Sequence, residues 1–139
     1  MAPHEKCVLV LDAALPPGVL ANTAAILGIT LGEKRPWLVG ADVSDAGGDL
    51  HCGIVTIPVP VLKGSAAAIR ELRQKLYDPE YLGVTVVDFT SLAQGCRTYE
   101  EFTQKMRGAP GPELAYFGIA LCGESKKVSK LTGSMPLLR

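Results

Sequence analysis

Three short apolar runs separated by helical patterns constrain the fold more than any other feature. They are CVLVL at 7–11, YLGVTVVDF at 81–89 and LAYFGIALC at 114–122. A strand that is covered on both faces has no polar side, so it lacks the alternation of a half-exposed strand. These runs predict buried strands with helices packed against the sheet that they form.

Helical patterns lie between these runs. A helix over 19–31 follows Pro16 and Pro17, and its apolar residues recur every 3 or 4 positions. We therefore expect it to be largely buried. Ser65 is a good N-cap for a helix over 66–77, since its hydroxyl can accept from a free backbone amide.

Two more helices are predicted near the C-terminus. Thr98 and Glu101 form a capping box before a helix that packs Tyr99, Phe102 and Met106. Ser125 is expected to cap a short helix over 126–132 that Gly133 ends, and residues 135–138 are expected to add an edge strand.

Two further strands are predicted at 37–43 (WLVGADV) and 51–59 (HCGIVTIPV). Pro58 and Pro60 should end the second strand or place it at a sheet edge, because proline cannot donate to a ladder. Strands that alternate with helices predict an α/β fold, a three-layer α/β/α sandwich around a mixed sheet. The length of 139 residues fits a single domain over 1–139.

Composition excludes several classes of protein. Lys plus Arg and Asp plus Glu each number 14, so there is no basic excess and nucleic acid is not an expected partner. The apolar stretches at 24–31 and 52–62 are too short to cross a membrane. MAPHEKCVLVLD has no basic stretch before a long apolar one, so we expect no signal peptide, and Met1-Ala2-Pro3 predicts no lipidation. We expect a cytoplasmic protein.

The four cysteines, at 7, 52, 96 and 122, form no C-x-x-C pair and have no zinc-finger spacing. Cys7, Cys52 and Cys122 lie in apolar runs, so we expect them to be reduced, buried residues without a structural disulfide. No cofactor is expected.

The segment GIALCGESKKVSKLTGSMPLL at 118–138 resembles the C-terminal end of the type 2 peptidyl-tRNA hydrolases. In those enzymes a strand ends in a glycine turn and is followed by a short helix, a bend and a closing apolar strand. The motifs KCVLVLD, N-x-A-A-I-L-G, GADVSD and IPVPVLKG are similar to an uncharacterised bacterial family, domain of unknown function 2000. The resemblance implies a dimeric α/β sandwich like that of peptidyl-tRNA hydrolase 2, and no known activity.

The hydrolase residues match this chain at one of three positions. The resemblance implies a catalytic lysine after Gly18, where this chain has Val19, and a histidine near Ile26. It implies an aspartate at Asp88, but Phe89 replaces the small residue that should follow. The missing lysine and histidine argue against peptidyl-tRNA hydrolysis.

Asp12 and Asp88 each end an apolar strand. If the two strands run parallel and lie close, the carboxylates meet in one crevice near Asn22, and pairing separates their pKa values into an acid and a base. Both aspartates are therefore candidate catalytic and ligand-binding residues, with Asn22 as a further ligand-binding candidate. The alternative is that each aspartate only forms a turn.

An acidic cluster covers residues 42–52 and contains Asp42, Asp45, Asp49, His51 and Cys52. Such ligands can hold a divalent ion, but the spacing matches no metal loop, and neighbouring glycines explain the aspartates as turn formers. No metal site is predicted. His51 stays a ligand-binding candidate.

Cys96 is a candidate nucleophile, because it lies beside Arg97 and before a capped helix, and both features lower the pKa of a thiol. A base would have to come from His51 or His4. The alternative is a loop cysteine without a role.

Three functions remain open. The first is a small-molecule-binding domain that works as a homodimer, and the second is an ester hydrolase of the peptidyl-tRNA hydrolase kind. The third is a dimeric interaction protein in which the strand over 51–59 or the C-terminal tail supplies a pairing edge.

Overall fold

A computed structural model describes residues 4–139 of the chain. Its strands are β1 (Glu5–Asp12), β2 (Val43–Ser44), β3 (Leu50–His51), β4 (Val61–Gly64), β5 (Thr85–Thr90) and β6 (Tyr116–Glu124). Its helices are α1 (Pro17–Lys34), α2 (Ala66–Lys75), α3 (Ser91–Gln94), α4 (Tyr99–Arg107) and α5 (Ser125–Thr132). Over this range, no helix has both the length and the apolar character that a membrane span requires. Residues 1–3, which underlie the predicted absence of a lipidation signal, lie outside the described residues.

The main sheet is mixed, with the strand order β4-β1-β6-β5. β1 runs parallel to β4, whereas β6 is antiparallel to both β1 and β5. β1 and β5 therefore point the same way, but β6 lies between them. The runs over 7–11 and 114–122 are confirmed as β1 and β6. The run over 81–89 is confirmed as β5 only from Thr85, because residues 79–81 form a turn of 3-10 helix.

Helices cover both faces of this sheet. On one face, Val10 of β1 and Ile119 of β6 are buried in a cluster that includes apolar residues of α2 and α5. On the other face, Leu9 and Leu11 are buried with Leu27 of α1. The predicted α/β class, with helices around a mixed sheet, is confirmed.

The prediction that α1 is largely buried is wrong. Its buried residues are Thr23, Leu27 and Leu31, and Ile29 is 75% exposed. Only one face of the helix contacts the sheet, so the apolar residues on the opposite face remain in solvent.

The predicted strands over 37–43 and 51–59 are also wrong. Residues 36–38 form a turn of 3-10 helix, and β2 and β3 are a pair of two-residue strands. The rest of this segment is irregular apart from one bridge between Val39 and Val55. We call residues 39–59 the arm. β4 begins directly after Pro60 and pairs with β1, as an edge position allows.

Helix ends agree closely with the capping signals. Ser65 accepts a hydrogen bond from the amide of Ala68, and Thr98 accepts one from the amide of Glu101. Ser125, however, is the first residue of α5 and not its cap, because β6 continues to Glu124. Tyr99 contacts Phe102 edge to face, with ring centroids 5.5 Å apart, but it is 81% exposed and not packed in the core.

The C-terminal tail contacts the edge of the main sheet. Leu137 forms an isolated bridge with Leu62, and the amide of Lys63 donates to the carbonyl of Pro136. The predicted edge strand over 135–138 is thus present only as this bridge. The tail covers the free side of β4.

Candidate functional site

A cavity of about 460 Å³ lies between α1, the edge strand β5 and the segment that contains α3 and α4. We call it the β5 cavity. It is lined by Ile26, Thr30, Val87, Asp88, Phe89, Thr90, Ala93, Cys96, Arg97, Thr98, Tyr99 and Phe102. Two of the predicted catalytic candidates, Asp88 and Cys96, therefore lie at one site.

Asp88 reaches this cavity through its backbone. The amide of Leu9 donates to the carbonyl of Pro60, so the backbone groups of Leu9 face β4 and not β6. Ala120, the partner of Leu9 on β6, then directs its own backbone groups away from β1, toward β5. Ala120 is opposite Val87. Backbone groups alternate in direction along a strand, and those of Asp88 therefore face away from β6, toward the open edge.

The carboxylate of Asp88 is engaged on the α2 face of the sheet. Its Oδ2 lies 2.7 Å from Nε of Arg73, whose guanidinium stacks over the ring of Tyr77 at 4.1 Å. Burial, together with the nearby Asp88 charge, raises the pKa of Tyr116. The Asp88 carboxylate is thus already paired with a cation from α2.

Asp12 and Asp88 do not meet in one crevice. Asp12 lines a different cavity of about 590 Å³ that also contacts Lys63 and Ser65, and its Oδ1 accepts from the amide of Ala14 at 3.0 Å. The shared-crevice prediction is wrong because β6 separates β1 from β5. For Asp12, the turn role is the one observed.

Asn22 and His51 lie elsewhere. Nδ2 of Asn22 donates to Oε1 of Gln94 at 3.3 Å on the surface, beside the β5 cavity but not among its lining residues. His51 is exposed in the arm, where Nε2 contacts Oδ2 of Asp45 at 2.8 Å. The structure therefore does not bring the four ligand-binding candidates together.

The acidic cluster over 42–52 forms turns. Oδ1 of Asp45 accepts from the amides of Gly47 and Asp49. The hydrogen bond from His51, followed by those amides, lowers the pKa of Asp45. Among the residues that the structure describes, no group of three or more histidines, cysteines or carboxylates could hold a metal ion. Cys52 is exposed and not buried as expected, because it belongs to the exposed part of the arm over 41–52. Ile57 and Val59, further along the arm, do pack against the core.

Cys96 is half-buried, and its thiol donates to the carbonyl of Leu92 at 3.2 Å. No described histidine lines the β5 cavity, so the base that a thiol nucleophile needs is missing from the lining. What the site offers is a binding surface with a thiol in its wall.

Arg97 gives the cavity its charge. Within residues 4–139, its guanidinium takes part in no ion pair. The nearby Glu101 and Lys105 neutralise each other at 3.0 Å. The Lys105 ammonium lowers the pKa of Glu101, and Glu101 in turn raises the pKa of Lys105.

Sequence reasoning missed most of the apolar wall. Ile26 and Thr30 are four residues apart on α1 and line the cavity together. That spacing is the signal that could have identified a second face of α1. Phe102 was predicted to pack, but not to line a site.

Comparisons with known proteins give a fold and a family. No curated protein matches the chain. A solved structure of a protein of unknown function from Agrobacterium tumefaciens matches with a TM-score of 0.88 at 18% identity, over 98% of each chain. This likeness shows a shared fold. The family model described as "Protein of unknown function (DUF2000)" matches residues 5–139, and the chain belongs to this family.

Proposed function

We propose that this protein is a small-molecule-binding domain whose ligand occupies the β5 cavity. One observation carries the proposal: a cavity of about 460 Å³ joins aliphatic and aromatic walls to a single uncompensated cation. Ligand sites in proteins are typically about 300–1,000 Å³, mostly apolar, with a few polar groups that fix orientation.

The lining favours an organic anion with an apolar body. Phe89, Phe102 and Ile26 supply apolar walls, and Arg97 supplies a fork of donors for a carboxylate. Asp88 does not oppose an anion, because Arg73 neutralises its carboxylate at 2.7 Å. A small aromatic or branched aliphatic carboxylate fits both features.

Binding is better supported than ester hydrolysis. Ile26, at the position where the resemblance implies a histidine, lines the β5 cavity as an apolar side chain. Val19, at the position of the implied lysine, adds no charge. Position 88 keeps its aspartate, but the carboxylate is held by Arg73.

The proposal also includes a specific fold within the α/β class. We assign the chain to the peptidyl-tRNA hydrolase 2-like α/β/α sandwiches. The passage from β6 into α5, the end of α5 at Gly133 and the return of the tail to β4 support this assignment.

We further propose a cytoplasmic homodimer. Four free cysteines, one of them the exposed Cys52, suit a reducing compartment. The arm supports a dimer because Val43, Leu50 and Ile54 are exposed apolar residues on one segment. A second copy of the chain that covers these residues would remove their apolar surface from water.

The experiment is an amide chemical-shift titration with a panel of small carboxylates, such as phenylacetate and isovalerate, and their neutral amides. We expect the carboxylates to shift the amides of residues 87–102, and Arg97→Gln to weaken binding about 10- to 100-fold, as for loss of a charged hydrogen bond. Arg107→Gln is the matched control, because Arg107 lies on α4 and is exposed outside the cavity.

Two outcomes would reject the proposal. Shifts that map away from the β5 cavity, or no shifts with any member of the panel, would exclude the site. Equal affinity for a carboxylate and its amide, unchanged in Arg97→Gln, would show that the ligand is not recognised as an anion.

A further inference from the structure

Cys7 and Cys122 lie opposite each other on the neighbouring strands β1 and β6. The backbone of Leu9 faces β4, and by alternation so does that of Cys7. Cys7 and Cys122 are therefore a non-hydrogen-bonded pair, in which the side chains approach most closely. The Cα atoms of such pairs are about 4.5 Å apart, inside the range of about 4.4–6.8 Å that a disulfide spans.

Both thiols are fully buried on the α1 face of the sheet. Oε2 of Glu5 lies 3.5 Å from Sγ of Cys122, and the same carboxylate is paired with Arg35 at 3.0 Å. Glu5 also lines a cavity of about 220 Å³ at this end of the strands. Glu5 therefore contacts Cys122, pairs with Arg35 and lines this recess.

The two sulfur atoms are not equivalent. The hydrogen bond from the Cys122 thiol lowers the pKa of Cys7, against the effect of burial. That shared bond, together with burial and the Glu5 carboxylate, raises the pKa of Cys122. Cys7 is the sulfur that becomes a thiolate first, and a thiolate is the reactive form.

We propose that Cys7 and Cys122 are a dithiol site for two-electron oxidants of the hydroperoxide class, which convert the pair to a cross-strand disulfide. With hydrogen peroxide, the Cys7 thiolate attacks one oxygen, the O–O bond breaks and hydroxide leaves, giving a sulfenic acid. The hydroxide takes up the proton that Cys7 released and becomes the first water. The sulfur of Cys122 then attacks the Cys7 sulfur, and the S–O bond breaks. The Cys122 proton leaves with the hydroxyl group as water. Overall, two thiols are oxidised and one peroxide is reduced to two waters.

The other two cysteines do not compete for this bond. Cys52 is exposed in the arm, and Cys96 donates to Leu92 beside the β5 cavity. A Cys52→Ser/Cys96→Ser variant therefore keeps only the proposed pair. Both replaced side chains lie outside the buried core clusters, so the fold should tolerate them.

The test treats this double variant, folded in native buffer, with excess hydrogen peroxide. We expect the intact mass to fall by two hydrogen atoms, and digestion to give one linked peptide containing Cys7 and Cys122. Reduction should restore both the mass and the two thiols. Adding Cys122→Ala should abolish the linked peptide and leave Cys7 as an oxygen adduct.

The wild-type protein supplies an internal reference for the dose of oxidant. If a dose that consumes the exposed Cys52 thiol leaves Cys7 and Cys122 fully alkylatable after unfolding, the dithiol site is excluded. Linkage of either residue to Cys52 or Cys96 in the wild type, in preference to the pair, would also overturn the proposal.

Discussion

Nε of Arg73 lies 2.7 Å from Oδ2 of Asp88, and this ion pair ties α2 to the edge strand β5. The two side chains are 15% and 23% exposed, so solvent screens them only in part. The guanidinium also stacks on Tyr77. A carboxylate that looks like a catalytic candidate in the sequence is therefore part of the packing between a helix and a sheet.

Replacing Arg73 by methionine should destabilise the protein by about 1–3 kcal/mol, because it leaves the Asp88 carboxylate half-buried without a partner. Some exposure keeps the cost below that of a fully buried pair. Urea unfolding followed by circular dichroism measures the change. The control is Arg107→Met, an exposed residue for which we expect a change within about 0.5 kcal/mol. Equal stability of the two variants would show that the ion pair contributes nothing.

Gly118 of β6 lets α1 approach the sheet closely. A Cβ at this position would lie 2.7 Å from Cδ2 of Leu11 and 2.9 Å from Cγ2 of Thr23. Gly118→Ala should therefore destabilise the fold by about 1–3 kcal/mol through overpacking, as measured by the midpoint of urea unfolding.

Gly28 is the matched control for this substitution. It lies within α1, and a Cβ there would meet no atom within 4 Å. Gly28→Ala should stabilise the protein by up to about 1 kcal/mol, since alanine is the better helix former. If both variants shift the midpoint in the same direction, the close approach at Gly118 is not a constraint on the fold.

The exposed pair of Asp45 and His51 makes the arm sensitive to acid. The hydrogen bond from His51 holds the pKa of Asp45 below its ordinary value of 3.8. A lowered carboxyl pKa stabilises the folded arm above the unfolded value, and this contribution is lost as the pH falls through the folded value. Carbon-13 NMR titration of Asp45 should give a value below 3.8, and His51→Ala should raise it. An unchanged titration in His51→Ala would contradict the assigned cause.

The buried strands were predictable because their signal is local. The run over 7–11 is apolar on both faces, and β1 is covered on both faces. The segment over 37–43, which leads into the arm, gave the same kind of signal, but a strand forms only where a neighbour completes the ladder. Residues 41–52 are exposed and have no main-sheet neighbour. Whether a segment finds such a neighbour depends on residues distant in the sequence, so the local pattern does not predict it.

The candidate site was predictable only in part, for the same reason. The apolar runs located Asp12 at the end of β1, but the prediction that Asp88 ends its strand is wrong, because β5 continues to Thr90. The sequence around Cys96 indicated a position before a helix. The order of the strands decides which of these residues meet. Because β6 lies between β1 and β5, Asp12 is separated from Asp88, and Cys96 becomes the neighbour of Asp88 at the β5 cavity.

The exposed apolar residues of the arm lead to the prediction for the proposed homodimer. Ile54 is 79% exposed, so Ile54→Asp should not disturb the core but should place a charge in an interface built on the arm. Light scattering at micromolar concentration should give the mass of two chains for the wild type and of one chain for Ile54→Asp. Ile29→Asp is the control: Ile29 is 75% exposed on α1, outside the arm, and the dimer should persist. A wild type with the mass of one chain would exclude the dimer. Dissociation by Ile29→Asp alone would show that the interface lies on α1 and not on the arm.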